Sequence, residues 1–584
     1  QMPPSGFEPR SIHDILKPWA INRMMDWYRD MEVWLKNMAF PVMDPDTGLP
    51  REVKRSVHWS CIIGESGFWP DAYGVHWDMH TKVDGVIQPV DFNAPIEPWL
   101  NVEYLRERLP DWVDQQAFSF LEDGVQYQAD LPYQIVLIPH LESLQYGVKP
   151  IFDEMVKQQC LGWYRFCYGF KSDPPVLPFS LTVRGAVPRA SEPLRPRPTA
   201  DGGAADRKPR CDSDGVQARS INTASQVPEL WDNSGSDSDS DEDRGGSEKW
   251  PKEVKPRHSD MMINLSVLMN AAEELGEPVF FFTDDASNFF NQMKLAPSEF
   301  GRCQTLLYDY HKDLMVLVQE YVMAFGLTPA SNIAQRLAHI IVALVCKNFD
   351  EVEDEYMRSS GTEQEQRWCA HRRGVARKSG HKEDRLYCLL MYTDDPMGGL
   401  VGVRRMVSFL ICWTRTTKLV RLKMAIATKR QLGCSVKWIG ARYYSLGMVV
   451  VTKDKRLKVL QSLMLLINGR LDCGELRSLN GLLEFIMVVL VLKRNRMAGM
   501  YEPFQSGREA EKGPETMPKV NTLMKQTSWA WSTEMASGCA VPFSEALRGI
   551  DVTDSQGRLW GPSVQVPAHC TYFSMTSDSS LQGA

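Results

Sequence analysis

The chain has 584 residues, of which 43% are apolar and 10% aromatic, with a formal net charge of −7. Such a length covers roughly three or four units of ordinary domain size. The composition is that of a globular chain and excludes a globally basic nucleic-acid binder, so any nucleic-acid surface has to be local.

Thirteen cysteines without a CxxC pair or regular spacing fit reduced thiols rather than a disulfide framework or a zinc site. The opening residues lack the apolar core of a signal peptide, and no uncharged run reaches the ~18 to 20 residues of a bilayer span. An intracellular protein, cytoplasmic or nuclear and not secreted, with no membrane partner is expected.

Residues 1–178 are rich in Trp and other aromatics, and segments such as 97–121 read as helix, so this region is expected to be mainly helical; it carries no readable motif. From about 185 to 256 the composition shifts to Pro, Arg, Gly, Ser and Asp. "SGSDSDSDEDRGG" (234–246) cannot bury enough apolar surface to offset its ordering entropy, which predicts a disordered acidic insertion over about 204–250. Beyond it, 260–276 has apolar residues at helical spacing, with Ser259 or Asp260 as N-cap and Gly276 as stop. "VFFFT" (279–283) reads as a strand and 330–349 as a long helix. The apolar run at 386–393 is a second strand, and 449–467 is a strand, a turn and an amphipathic helix. That order suits an α+β sheet with helices on one face.

Both predicted strands end in a carboxylate pair, Asp284–Asp285 and Asp394–Asp395. With 73 acidic residues in 584, about nine acid–acid neighbours arise by chance, so one pair is uninformative. Two apolar strands that both end this way are much harder to obtain by chance. Adjacent in one sheet, their ends would repel unless divalent cations neutralised them. Oxygen-only ligands select hard ions, Mg²⁺ above all with Mn²⁺ as the alternative, and paired ions about 3.5 to 4 Å apart serve in-line phosphoryl transfer.

These residues carry a family resemblance. "FFFTDDASNFFNQMKLAPSEF" (280–300) resembles motif A of retroelement reverse transcriptases, an aspartate followed five positions later by an aromatic residue. "YVMAFGLTPASNIAQRL" (321–337) resembles motif B, and "MYTDD" (391–395) motif C. "ATKRQLGCSVKWIG" (427–440) is similar to the lysine of motif D and the turn of motif E. Order and spacing match over about 195–467, nearly half the chain. The resemblance implies a right-hand polymerase: fingers and ferredoxin-like palm at 179–450 and a helical thumb and connection at 451–565. It implies RNA-directed DNA polymerisation in a retrotransposon or related mobile element. The partners would be an RNA template, a DNA or RNA primer and dNTPs, and the cofactor two Mg²⁺ ions.

Counting back from Phe290 selects Asp285 as the motif A ligand. Strand alternation then turns Asp284 outward or into a supporting place. By resemblance Asp394 and Asp395 complete the metal set, with Asp394 the surer ligand. Phe290 would gate against a ribose 2′-hydroxyl, and Phe325 and Gly326 would let backbone approach the nucleotide. Ser331, Asn332, Gln335 and Arg336 are expected at the template, Trp438, Ile439 and Gly440 at the primer grip. Lys429 stands at the motif D position as proton donor to pyrophosphate. Two stretches compete for the triphosphate clamp: Arg197 with Asp201, preferred, and Lys255 with Arg257. The basic stretch 367–385 either tracks template phosphates or is a solvated loop.

"CTYFSMTSDSSLQGA" (570–584) resembles the first strand of a ribonuclease H domain ending at Asp578, and the downstream acids of that fold do not follow, which implies a truncated domain from about 566. A competing reading is an inactive or domesticated derivative that only binds nucleic acid. Pro396 removes a backbone donor where a hairpin strand should continue, and 353–374 lengthens the palm. A third reading is a polymerase restricted to DNA templates.

Overall fold

The computed structural model describes residues 40–50, 100–127, 255–309, 311–324, 328–370, 385–425, 430–492, 494–505 and 517–547, with short segments elsewhere. The expected ribonuclease H start at 570–584 lies outside them. So does most of the acidic insertion, within which only the two short strands Ala204–Ala205 and Cys211–Ser213 are described.

Helices α1 (Val102–Arg108) and α2 (Gln115–Asp123) come first. Asn101 and Asp114 start them, each side chain accepting an N–H of the first turn, from Tyr104 and Ala117. Then follow α3 (His258–Leu275), β1 (Val279–Thr283), the hairpin β2 (Gln304–Asp309) and β3 (Leu314–Glu320), α4 (Thr328–Ser359), the hairpin β4 (Tyr387–Tyr392) and β5 (Asp395–Val401), and α5 (Val403–Val420). Short strands β6 (Gln431–Gly433), β7 (Ser435–Trp438), β8 (Ala441–Tyr444) and β9 (Met448–Val451) lead to α6 (Lys453–Ile467) and α7 (Cys473–Val489). α8 (Ala498–Gln505), α9 (Thr522–Ala536) and β10 (Ala540–Pro542) follow, and the 3₁₀ turn Phe543–Leu547 closes the described chain.

The central sheet runs Val57–His58, β6, β1, β5, β4, with every neighbouring pair antiparallel. A second sheet extends β2–β3 with Tyr164–Cys167, and a third is the meander β7–β8–β9 with β10 added beside β9. The protein is thus a mixed fold of helices and largely antiparallel sheets.

The expectation of helices on one face of the sheet is corrected. Every residue of β1 is buried, as a strand covered on both sides requires. Phe280 and Phe282 join a core with α1, α2, α4 and α5, whereas Val279 and Phe281 join a second core with α3, the meander and α6–α7. Helix α3 packs so close that a Cβ on Gly399 of β5 would stand 2.4 Å from Leu265 Cδ2. The start of α3 also differs. Arg257 is its N-cap, and Asp260 sits in the first turn accepting the Arg257 N–H at 2.6 Å. Its predicted end holds, with Gly276 left-handed at φ 66.

Helix α4 continues past the predicted 349 to Ser359, and 363–370 forms a further helix, so the stretch 353–374 begins as ordered structure. Arg405 of α5, only 1% exposed, ties both together. Its guanidinium binds Glu353, and its Nη2 lies 2.7 Å from Glu365. Within α4, Pro329–Ser359 is long and apolar enough to cross a membrane by length and composition, unlike any run expected from the sequence; most of its apolar stretch is buried in the first core.

Candidate active site

The β4–β5 hairpin pairs Tyr392 with Asp395 and Met391 with Pro396, leaving Thr393 and Asp394 as a two-residue turn. Positive φ falls on Thr393 (φ 55) and not on Asp394. That first turn position is one glycine normally holds, and a β-branched residue there stores about 1–3 kcal/mol of strain. Pro396 does not interrupt the strand: β5 runs from Asp395 to Val401, and the Pro396 carbonyl accepts the Asp284 N–H at 3.3 Å. The proline forfeits its own N–H in the ladder and leaves the hairpin intact.

The pairing of β1 with β5 sets Thr283 opposite Met397. Two more bonds, Asp284 N–H to Pro396 O and Ala286 N–H to Asp394 O (2.8 Å), carry the ladder past the strand end. Asp285 therefore lies opposite Asp395, with Asp394 in the adjoining turn. Alternation places Asp285 and Asp395 on the face of Phe281 and Met397. All three acids are half-buried. On the far side the Asp285 carbonyl accepts the Ala425 N–H at 2.8 Å.

Asp284 points the other way, into the first core, where its side chain and that of Arg430 are both 0% exposed. Arg430 Nε reaches its Oδ2 at 2.8 Å, Trp413 Nε1–H at 3.1 Å, and the Asp285 N–H donates to Oδ1 at 3.0 Å. Burial raises the carboxyl pKa, and the Arg430 charge with these donors acts against that shift. Asp284 is a buried support beneath the acidic edge. Sequence reasoning missed Arg430; its only signal was a second cation directly after Lys429.

Among the described residues no group of three or more His, Cys, Asp or Glu side chains is arranged to hold a metal ion. Asp285 with Asp394 or Asp395 is a hard oxygen pair, and Mg²⁺ is usually held by one or two carboxylates completed by water and substrate phosphates. The donor chemistry fits that ion.

Lys255 stands at the same end of the sheet. Its Nζ donates to Ser331 Oγ at 2.8 Å and lies 5.1 Å from the Tyr392 ring centroid, while Arg257 is exposed at the α3 N-cap. Phe290 lies in the 3₁₀ turn Phe289–Gln292, half-buried against the first core. Gln292 fastens that turn to the segment beside Asp285, giving Nε2–H to Ser287 O and accepting the Lys423 N–H, both at 2.8 Å. The residues expected at the primer grip lie beside the site: Trp438 Nε1–H donates to the Asp395 carbonyl at 2.8 Å, and Ile439 (φ 43) and Gly440 (φ 79) form the β7–β8 turn. A Cβ on Gly440 would meet Lys455 Nζ at 2.2 Å.

The expected template residues are largely buried. Asn332 is covered, Arg336 binds Asp114 and Gln116 of the α2 end, and Gln335 turns toward the β4–β5 hairpin. Arg197 lies on the two-residue strand Arg197–Pro198; Asp201, Phe325, Gly326 and Lys429 fall outside the described residues. Of the basic stretch, Arg367 pairs with Glu363, Arg385 pairs with Asp350, and 371–384 is likewise outside.

No protein-family model matches the chain, and no curated protein matches it. Among solved structures it is similar to the foamy viral protease-reverse transcriptase dRH in complex with double-stranded DNA, at 11% identity and a TM-score of 0.38, over 77% of this chain and 62% of that one. It is similar to the foamy viral protease-reverse transcriptase with an RNA/DNA hybrid at 11% identity and TM-score 0.39, over 77% and 48%. With double-stranded DNA the figures are 12% and 0.37, over 77% and 73%. The chain thus spans less than two thirds of the first two of these structures.

Proposed function

We propose that the chain is an RNA-directed DNA polymerase of a mobile element, a nucleotidyltransferase that extends a primer with dNTPs on an RNA template. The observation that carries this reading is the register at the end of the central sheet, where the Asp pair after β1 meets the β4–β5 turn and Asp285 comes opposite Asp395 beside Asp394. The connectivity β1–α4–β4–β5–α5–β6 with strand order β6-β1-β5-β4 supports it, being that of a ferredoxin-like palm. In this reading the β2–β3 sheet belongs to the fingers, and α6 to α9 form the thumb and connection.

Asp285, Asp394 and Asp395 are the residues that would hold Mg²⁺, which supplies charge neutralisation for the triphosphate and a lowered pKa for the primer hydroxyl. Phe290, on the turn that Gln292 fastens, excludes a 2′-hydroxyl from the sugar site. Lys255, steadied by Ser331, offers positive charge for phosphate at the same edge, in company or competition with Arg197. Lys429 is assigned the proton for the leaving pyrophosphate. Trp438, Ile439 and Gly440 steady the primer end.

The test is primer extension on an RNA template with Mg²⁺, wild type beside Asp394→Asn, repeated with a DNA template. Extension on RNA that the variant loses is expected; extension on DNA alone would restrict the enzyme to DNA templates. Template binding without extension in either protein would replace this reading with a second one, a reverse-transcriptase-derived nucleic-acid-binding protein.

A further inference from the structure

Gln335 is 1% exposed, and three of its side-chain hydrogen bonds go to the β4–β5 hairpin. Its Oε1 accepts the Thr393 N–H at 2.9 Å and the Thr393 hydroxyl at 3.4 Å. Its Nε2 donates to the Met391 carbonyl at 3.0 Å and faces His339 Nε2 at 3.1 Å. β4 is the edge of the central sheet, so the Met391 carbonyl finds its donor on a helix instead of a further strand. Thr393 is the residue held at φ 55, a conformation that persists only where surrounding structure over-determines it. The next residue is Asp394, whose carbonyl is fixed to β1 by the Ala286 N–H.

We propose that Gln335 is a positioning residue: from the buried face of α4 it clamps the strained Thr393 turn and so fixes where Asp394 is presented beside Asp285. It does not contact the template. This rests on the polymerase reading, because the turn is the proposed site of chemistry. Without the amide, the turn relaxes toward negative φ and carries Asp394 with it. Gln335→Leu keeps the bulk and removes the clamp. Thr393→Gly removes the need for it, since glycine accepts positive φ without a steric penalty.

Two readouts test this. In hydrogen exchange read by mass spectrometry, the hairpin peptide 386–397 should exchange faster in Gln335→Leu, while peptides from the body of α4 keep wild-type protection. In primer extension, Gln335→Leu should lower kcat roughly 100-fold, the order of loss expected when a reacting group shifts by about 1 Å, with KM for dNTP and template affinity within about twofold of wild type. Adding Thr393→Gly should restore at least about a tenth of the wild-type kcat. Unchanged hairpin exchange in Gln335→Leu overturns the proposal. So does a loss of template affinity as large as the loss of kcat, or failure of Thr393→Gly to rescue. If the wild type extends no primer, the polymerase reading fails separately, and the exchange result alone decides whether Gln335 sets the turn.

Discussion

Asp284 and Asp285 are chain neighbours of the same type, and the sheet sends them to opposite environments. Asp284 faces the core under α5, fully buried, with Arg430 and Trp413 as partners. Asp285 lies on the other face, half-buried at the end of an interior strand and opposite Asp395. Strand parity decides which carboxylate becomes structural and which is available for chemistry. The buried one also donates order to its neighbour, since its Oδ1 holds the Asp285 N–H.

The largest effect should come from breaking the buried side. Asp284→Asn leaves the Arg430 charge uncompensated in the core and should cost about 3–5 kcal/mol, read as a large drop in Tm. Replacing both partners by apolar residues, Asp284→Leu with Arg430→Met, should recover much of that loss. A double variant as unstable as the single one would contradict the ion-pair account.

The second core, on the Asp285 face, has its own buried titratable group. Burial and then the Lys455 charge lower His258 to about 4. Its ring lies 2.6 Å from the Tyr443 hydroxyl through Nδ1. Because the unfolded chain takes up this proton near 6.5 and the folded chain only near 4, stability should fall as pH drops through that window. The loss approaches about 3 kcal/mol at pH 4. Chemical denaturation from pH 7.5 to 4 should show this slope and its flattening in His258→Phe.

Smaller still is Gly399→Ala, which drives a methyl into Leu265 beneath the same face and should cost about 1–3 kcal/mol. Smallest is Asp285→Asn, expected to change stability by no more than about 0.5 kcal/mol because the residue is half-buried just past the end of its strand. A destabilisation equal to that of Asp284→Asn would erase the distinction between the two acids.

The strands at 279–283 and 386–393, the long helix and the pairing of acids with an aromatic five residues on were legible because periodicity and short motifs are local signals. Choosing Asp285 over Asp284 came from counting back five residues from Phe290, and alternation then sent Asp284 to the other face. Three things were not legible. Helices on both faces of the sheet were hidden because an all-apolar β1 does not say what covers each side. Arg430 as the partner of Asp284 depends on a contact between residues distant in sequence. Gln335 read as a template residue by its place after motif B, but only the packing of α4 against the β4–β5 hairpin reveals what its amide binds. Pro396 read as an interruption of the hairpin strand; register shows that it gives up one of the two ladder bonds opposite Asp284 and keeps the other, its carbonyl accepting the Asp284 N–H.

The most direct test compares Asp285→Asn with wild type in Mg²⁺-dependent primer extension on RNA, with Tm and template affinity measured on the same preparations. The account predicts wild-type extension, and in the variant no extension above background at unchanged Tm and affinity. Wild-type extension rates in Asp285→Asn would contradict it, as would a wild-type protein that binds template and extends nothing.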